Sequence, residues 1–151
     1  MKRLHVHLHV EELEKSVRFY RTLFGVAPSK LKDDYAQWLL DEPSVNFAVS
    51  TKACCDAGIS HLGIQVDDDA SLAVITAALA EAEQTIFEEK ENLCCYARGN
   101  KAWASDPDGV VWETFHRLGH SETMGRDDTR DAGIEALQES ASLRRFPVTK
   151  A

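Results

Sequence analysis

A short motif occurs twice in this chain: His5-Val-His-Leu-His-Val10 is echoed by His61-Leu-Gly-Ile-Gln-Val66. Acidic residues follow each copy, Glu11-Glu12 and Asp67-Asp68-Asp69, and then apolar residues at helical spacing. A repeat of this kind signals one supersecondary unit used twice. Neither half reaches 60 residues, too few to bury a stable core alone, so the halves are expected to pair. The predicted fold class is α+β, two paired βαβββ modules forming a cupped mixed sheet.

The first copy alternates with period two, which predicts a strand over residues 4–10 with Leu4, Val6, Leu8 and Val10 on one face. His5, His7 and His9 share the other. Leu13, Val17, Tyr20 and Phe24 then fall on one helical face, with Gly25 placed to cap the C-terminus. Short strands are predicted at Tyr35–Leu40 and Ser44–Ser50, on either side of the turn-prone Asp41-Glu42-Pro43. The second half predicts a strand at His61–Val66 and a helix containing Leu72, Ile75 and Leu79. Strands near Thr85–Glu88, Ala97–Ser105 and Val110–His116 follow, with Asp106-Pro-Asp-Gly109 as a hairpin turn. The modules are drawn at about 1–52 and 58–118. The remainder, 119–151, is polar and reads as an extension with a helix at Ala132–Leu143, or else as a mobile appendage.

Composition removes several function classes. Seventeen Lys+Arg against 25 Asp+Glu give a net charge of −8, which disfavours nucleic acid and anionic membranes as partners. No apolar run approaches membrane-spanning length, so a cytoplasmic protein is expected. The four cysteines form two vicinal pairs, Cys54-Cys55 and Cys94-Cys95. Neighbouring Cα atoms stand about 3.8 Å apart, short of the usual disulfide span. Free thiols in a reducing compartment are the expectation.

His5 and His61 hold equivalent places in the two opening strands. Glu113 sits among apolar neighbours in Val110-Val-Trp-Glu-Thr-Phe115. A buried carboxylate needs a counter-charge or a metal. Two imidazoles and one carboxylate make the facial triad of non-haem Fe(II) oxygen enzymes. The plainer alternative is that these are satisfied polar residues on sheet strands. His7 and His9, on the same face as His5, are able to substitute for it.

The run from His5 through Ser16-Val-Arg-Phe-Tyr20, Phe24-Gly25, His61-Leu-Gly-Ile-Gln-Val66 and Asp106-Pro-Asp-Gly-Val-Val-Trp-Glu113 resembles the vicinal oxygen chelate superfamily. That superfamily includes glyoxalase I, extradiol dioxygenases and antibiotic-resistance proteins. The resemblance covers about residues 1–118 and implies a divalent metal held by His5, His61 and Glu113, with homodimers expected. A narrower resemblance runs through Asn92-Leu-Cys-Cys-Tyr-Ala97, Lys101-Ala-Trp103, Trp112-Glu113 and Leu118-Gly-His-Ser-Glu-Thr-Met-Gly125. It is to ArsI-type organoarsenical carbon–arsenic lyases and the related cadmium-induced CadI proteins. It implies an Fe(II)- and O2-dependent dioxygenase that cleaves trivalent organoarsenicals to arsenite, with Glu113 among its catalytic residues and Cys94 and Cys95 binding the substrate.

Two vicinal thiols suit that substrate, because trivalent arsenic is thiophilic and a chelate fixes the carbon–arsenic bond near the metal. Adjacent strand residues point to opposite faces, so joint chelation requires Cys94-Cys95 to leave regular strand. Glyoxalase I adds a fourth protein donor from the last strand of its first half. Here that strand, Val45-Asn-Phe-Ala-Val-Ser50, has no acid or histidine. The competing readings are a cadmium- or arsenic-responsive binding protein without turnover, and a glyoxalase I-like lyase. One departure from the lyases is His5, where they can place Gln. Cys54-Cys55 lies outside the recognised motif.

Overall fold

The computed structural model describes residues 2–51, 56–94, 96–122, 125 and 128–143. Cys54, Cys55 and Cys95 lie outside these, as does the side chain of Cys94. The chain divides into two compact units, residues 1–65 and 66–151.

The first unit runs β1 (Arg3–His9), α1 (Leu13–Phe24), β2 (Lys30–Leu31), β3 (Tyr35–Leu40), β4 (Val45–Ser50) and β5 (Gly58–Val66), the last ending one residue into the second unit. Its strands are ordered β2-β3-β4-β1-β5. β1 is parallel to β4 and antiparallel to β5. A parallel neighbour demands a crossover, and α1 with the β2–β3 segment supplies it. The predicted alternation of β1 is realised: Val6, Leu8 and Val10 pack with Leu13, Val17, Tyr20 and Phe24 of α1 against buried Ala36, Trp38, Phe47 and Val49. Gly25 closes α1 at φ 70°, left-handed backbone that glycine adopts without a Cβ penalty. The sequence did not forecast β2, whose two residues are too few to show a period.

The second unit comprises α2 (Asp69–Glu81), β6 (Ile86–Cys94), β7 (Ala97–Ser105), β8 (Val111–His120) and α3 (Asp128–Leu143). With β5 placed before α2, the element order βαβββ occurs twice, the α+β class expected. The Asp68 carboxylate caps α2 by accepting from Ser71 N at 2.6 Å, and that bond holds its carboxyl below the usual range. β6, β7 and β8 form an antiparallel meander. The predicted turn is present: Gly109 takes φ 91°, and the Asp106 carboxylate accepts from Asp108 N and Val110 N.

β6 extends well past its predicted end at Glu88 because pairing with β7, not intrinsic propensity, carries the polar run Glu88–Asn92. An irregularity between Glu89 and Asn92, with Glu91 at φ 50°, relieves it. Trp103, Val111 and Leu137 form the core of this unit, with Phe87 and Ile134 packed on it. α3 approaches β6 so closely that a Cβ on Gly133 would clash with the Phe87 ring. Close approach explains a glycine inside a helix, where it otherwise costs about 1 kcal/mol.

Candidate metal centre

Alternation puts the β1 histidines on the face opposite α1, and burial there is deep. His5 is 5% exposed, His7 3% and His61 5%. In the β1–β5 ladder His7 stands directly opposite His61, just before a register shift between His7 and Leu8. Ring centroids lie 4.9 Å apart for His7–His61, 5.2 Å for His5–His61 and 6.2 Å for His5–His7. One ring nitrogen from each lies within 4.8 Å of the others.

β4 orients these rings. His5 Nδ1–H donates to the Asn46 carbonyl at 2.9 Å, which leaves the lone pair of the neutral ring on Nε2. The Asn46 side chain accepts from Gln37 Nε2 at 2.7 Å and donates to Gln65 Oε1 at 2.9 Å, fixing this part of the strand. Ser50 Oγ lies 2.8 Å from His7 Nε2 and 3.3 Å from His9 Nδ1, and Ser60 Oγ lies 3.1 Å from His61 Nδ1. Each imidazole thus has one nitrogen held by an oxygen. Metal-binding histidines are usually oriented in this way. Three shielded imidazoles from two neighbouring strands fit a divalent first-row ion. β4 lacks a ligand of the glyoxalase type, as its sequence indicated, and supplies hydrogen bonds instead.

The expected third donor, Glu113, belongs to β8 in the second unit. It is 3% exposed, and Lys101 Nζ lies 2.5 Å from its Oε1. Lys101 thus gives this buried carboxylate a counter-charge. Lys101 also lies 5.6 Å from the Trp103 ring centroid and 6.0 Å from that of Phe115. Beside it, buried Glu89 accepts from Trp103 Nε1 at 2.8 Å and Asn92 Nδ2 at 2.5 Å. Neither Lys101 nor Glu89 was identified from sequence as a site residue. Lys101 entered the sequence reading only within the Lys101-Ala-Trp103 resemblance, two residues from Trp103 on the same strand face, and Glu89 carried no signal.

Cys94, which pairs with Ala97, is the last residue of β6, and Tyr96 takes φ 58°. Cys95 and the Cys94 side chain fall outside the described residues. Elsewhere in this unit, Asp69 Oδ1 accepts from Asn100 Nδ2 at 2.9 Å and meets His116 Nδ1 at 3.0 Å. These bonds hold the Asp69 carboxyl below its ordinary range, Asn100 contributing most. Among the described residues no helix is long and apolar enough to cross a membrane.

Residues 2–114 match the Glyoxalase/Bleomycin resistance protein/Dioxygenase superfamily. The trivalent organoarsenical cleaving enzyme of Bacillus sp. (strain MD1) is 41% identical over 118 residues, covering 77% of this chain and 73% of that protein. The cadmium-induced protein CadI of Mycobacterium bovis is 31% identical over 135 residues, 87% of this chain and 89% of that one. The extradiol ring-cleaving dioxygenase of B. fuscum superposes with a TM-score of 0.60 at 20% identity, over 80% of this chain and 34% of that enzyme, a similarity of fold alone. On the superfamily match over most of its length and on relatives at these identities, the chain belongs to the glyoxalase/bleomycin resistance protein/dioxygenase superfamily.

Proposed function

We propose that this protein is an ArsI-type enzyme, a non-haem Fe(II)-dependent dioxygenase that cleaves the carbon–arsenic bond of trivalent organoarsenicals and releases arsenite. The observation that carries this reading is the 41% identity to an enzyme named for that cleavage. The buried imidazole cluster contains His5 and His61, two of the three ligands this reading calls for, which supports it. His5, His61 and Glu113 are the proposed metal ligands, with Glu113 supplying the anionic donor among them. A bound Fe(II) ion supplies activation of O2, the oxidant consumed in the cleavage.

The chain's own part begins with capture. The Cys94 and Cys95 thiols displace two hydroxyls from arsenic, forming two As–S bonds and releasing two waters with no change in oxidation state. The organic group stays on arsenic, now tethered and oriented. Lys101, 2.5 Å from Glu113, holds that carboxylate ionised and in place. A cytoplasmic setting keeps the thiols reduced, and a homodimer is part of this reading from the superfamily resemblance.

Similarity to CadI favours a second reading, sequestration of Cd(II) or arsenic without turnover. Glu113→Ala and the Cys94→Ser/Cys95→Ser double variant, loaded anaerobically with Fe(II) and given a trivalent methylarsenical, separate the readings. The lyase reading expects the wild type to release arsenite on exposure to O2 and both variants to lose that release. Tight arsenical binding without release supports sequestration. Turnover undiminished by loss of both thiols would overturn the role of the cysteines.

A further inference from the structure

The His-x-His pair in β1 and the histidine opposite it in β5 make a constellation that is complete within the first unit. We infer that His7 is itself a metal ligand in this chain, so that His5, His7 and His61 hold a divalent ion as a three-imidazole site. The set proposed above takes His5 and His61 from here and its third donor from Glu113. His7 adds a neutral nitrogen donor to it.

Four observations carry this. The donor nitrogens of all three rings lie within 4.8 Å of one another. His7 is the most buried of the three, 3% exposed, where an apolar residue would pack without the cost of shielding a polar ring. Its partner across the ladder is His61, and directly opposed side chains on antiparallel strands are the closest pairs a sheet offers.

The fourth observation is the hydrogen-bond chain through Ser50. Ser50 Oγ lies 2.8 Å from His7 Nε2 and 3.3 Å from His9 Nδ1, and a neutral His7 ring that donates from Nε2 would carry its lone pair on Nδ1. The same division holds at His5, where the carbonyl of Asn46 can only accept. A site of three imidazoles is a donor set known for Zn(II). It raises affinity for the nitrogen-preferring ions Co(II), Ni(II), Cu(II) and Zn(II) relative to Mn(II).

The inference stands whether or not the chain cleaves carbon–arsenic bonds, because its readout is metal binding. The first arm counts imidazoles on the intact protein loaded with one equivalent of Cu(II), by pulsed electron paramagnetic resonance. Three coordinated rings are expected, and two would overturn the inference. The second arm titrates Zn(II) against a chromophoric chelator for wild type, His7→Gln and Glu113→Gln. His7→Gln is expected to weaken Zn(II) binding on the order of 100-fold. Glu113→Gln is expected to retain a saturable site. Wild-type affinity in a folded His7→Gln, or loss of all binding in a folded Glu113→Gln, would return His7 to the role of a core residue held by Ser50. Circular dichroism of each variant confirms folding, and the spin-resonance arm needs no variant.

Discussion

Beneath α1, four aromatic rings (Tyr20, Phe24, Trp38 and Phe47) meet at centroid distances of 4.5–6.1 Å and fill the space between helix and sheet. Beneath α2 the same layer is built from Leu72, Ala73, Thr76, Ala77 and Ala80 over Asn100 and Ala102, and leaves a groove of about 610 Å³. Leu72 is the one residue of α2 buried among those described. The N-terminal end of α2 is fastened by polar contacts, Asp69 to Asn100 and His116. On the opposite faces the contrast continues. The first unit buries three imidazoles, two of them tied to β4, whereas the second buries the Lys101–Glu113 ion pair. One element order thus supports two kinds of stabilisation, apolar filling in one unit and polar fastening in the other.

The largest expected effect lies in the filled layer. Trp38→Ala should cost about 3–5 kcal/mol in denaturant unfolding, since Trp38 is fully buried in the aromatic cluster. Its counterpart, Ala77→Leu, adds volume where the groove has room and should change stability by less than about 1 kcal/mol. Equal losses from the two substitutions would remove the distinction.

Lys101→Met comes next. It leaves the Glu113 carboxylate buried without its cation and should cost about 3 kcal/mol in metal-free protein. Adding Glu113→Gln to it should recover most of that loss, and a double-mutant cycle measures the coupling. Gly133→Ala should destabilise by about 1–3 kcal/mol despite a better helix propensity, because its Cβ meets the Phe87 ring. Phe87→Leu should relieve part of the cost, read as a partial return of the thermal midpoint.

The smallest effect is a pH dependence. Asn100 and then His116 hold the folded Asp69 carboxyl below its ordinary value of 3.8. Its contribution is therefore complete above 3.8 and is lost as pH falls through the lower folded value. The thermal midpoint of wild type should exceed that of Asp69→Asn slightly at neutral pH. That difference should vanish in strong acid.

What was legible in the sequence was what local periodicity encodes. Alternation in β1 put three histidines on one face, and helical spacing with Gly25 bounded α1, because both depend only on near neighbours. Pairing register was not legible. That His61 stands opposite His7 rather than His5 follows from the β1–β5 ladder, and so His7 entered the sequence reading only as a substitute for His5. The roles of Asn46 and Ser50 as supports for imidazoles depend on parallel β1–β4 pairing, invisible in either strand alone. Lys101 and Glu89 are charged residues whose burial is fixed by tertiary partners, and residue type alone predicts exposure for both. The repeat itself was legible, whereas the different filling of its two helix layers was not.

The most direct test of the proposed chemistry is arsenic speciation after wild-type protein, loaded with Fe(II), meets a trivalent phenylarsenical with and without O2. Arsenite released only when both Fe(II) and O2 are present is the result this account predicts. The arsenical recovered intact with Fe(II) and O2 both supplied would contradict it.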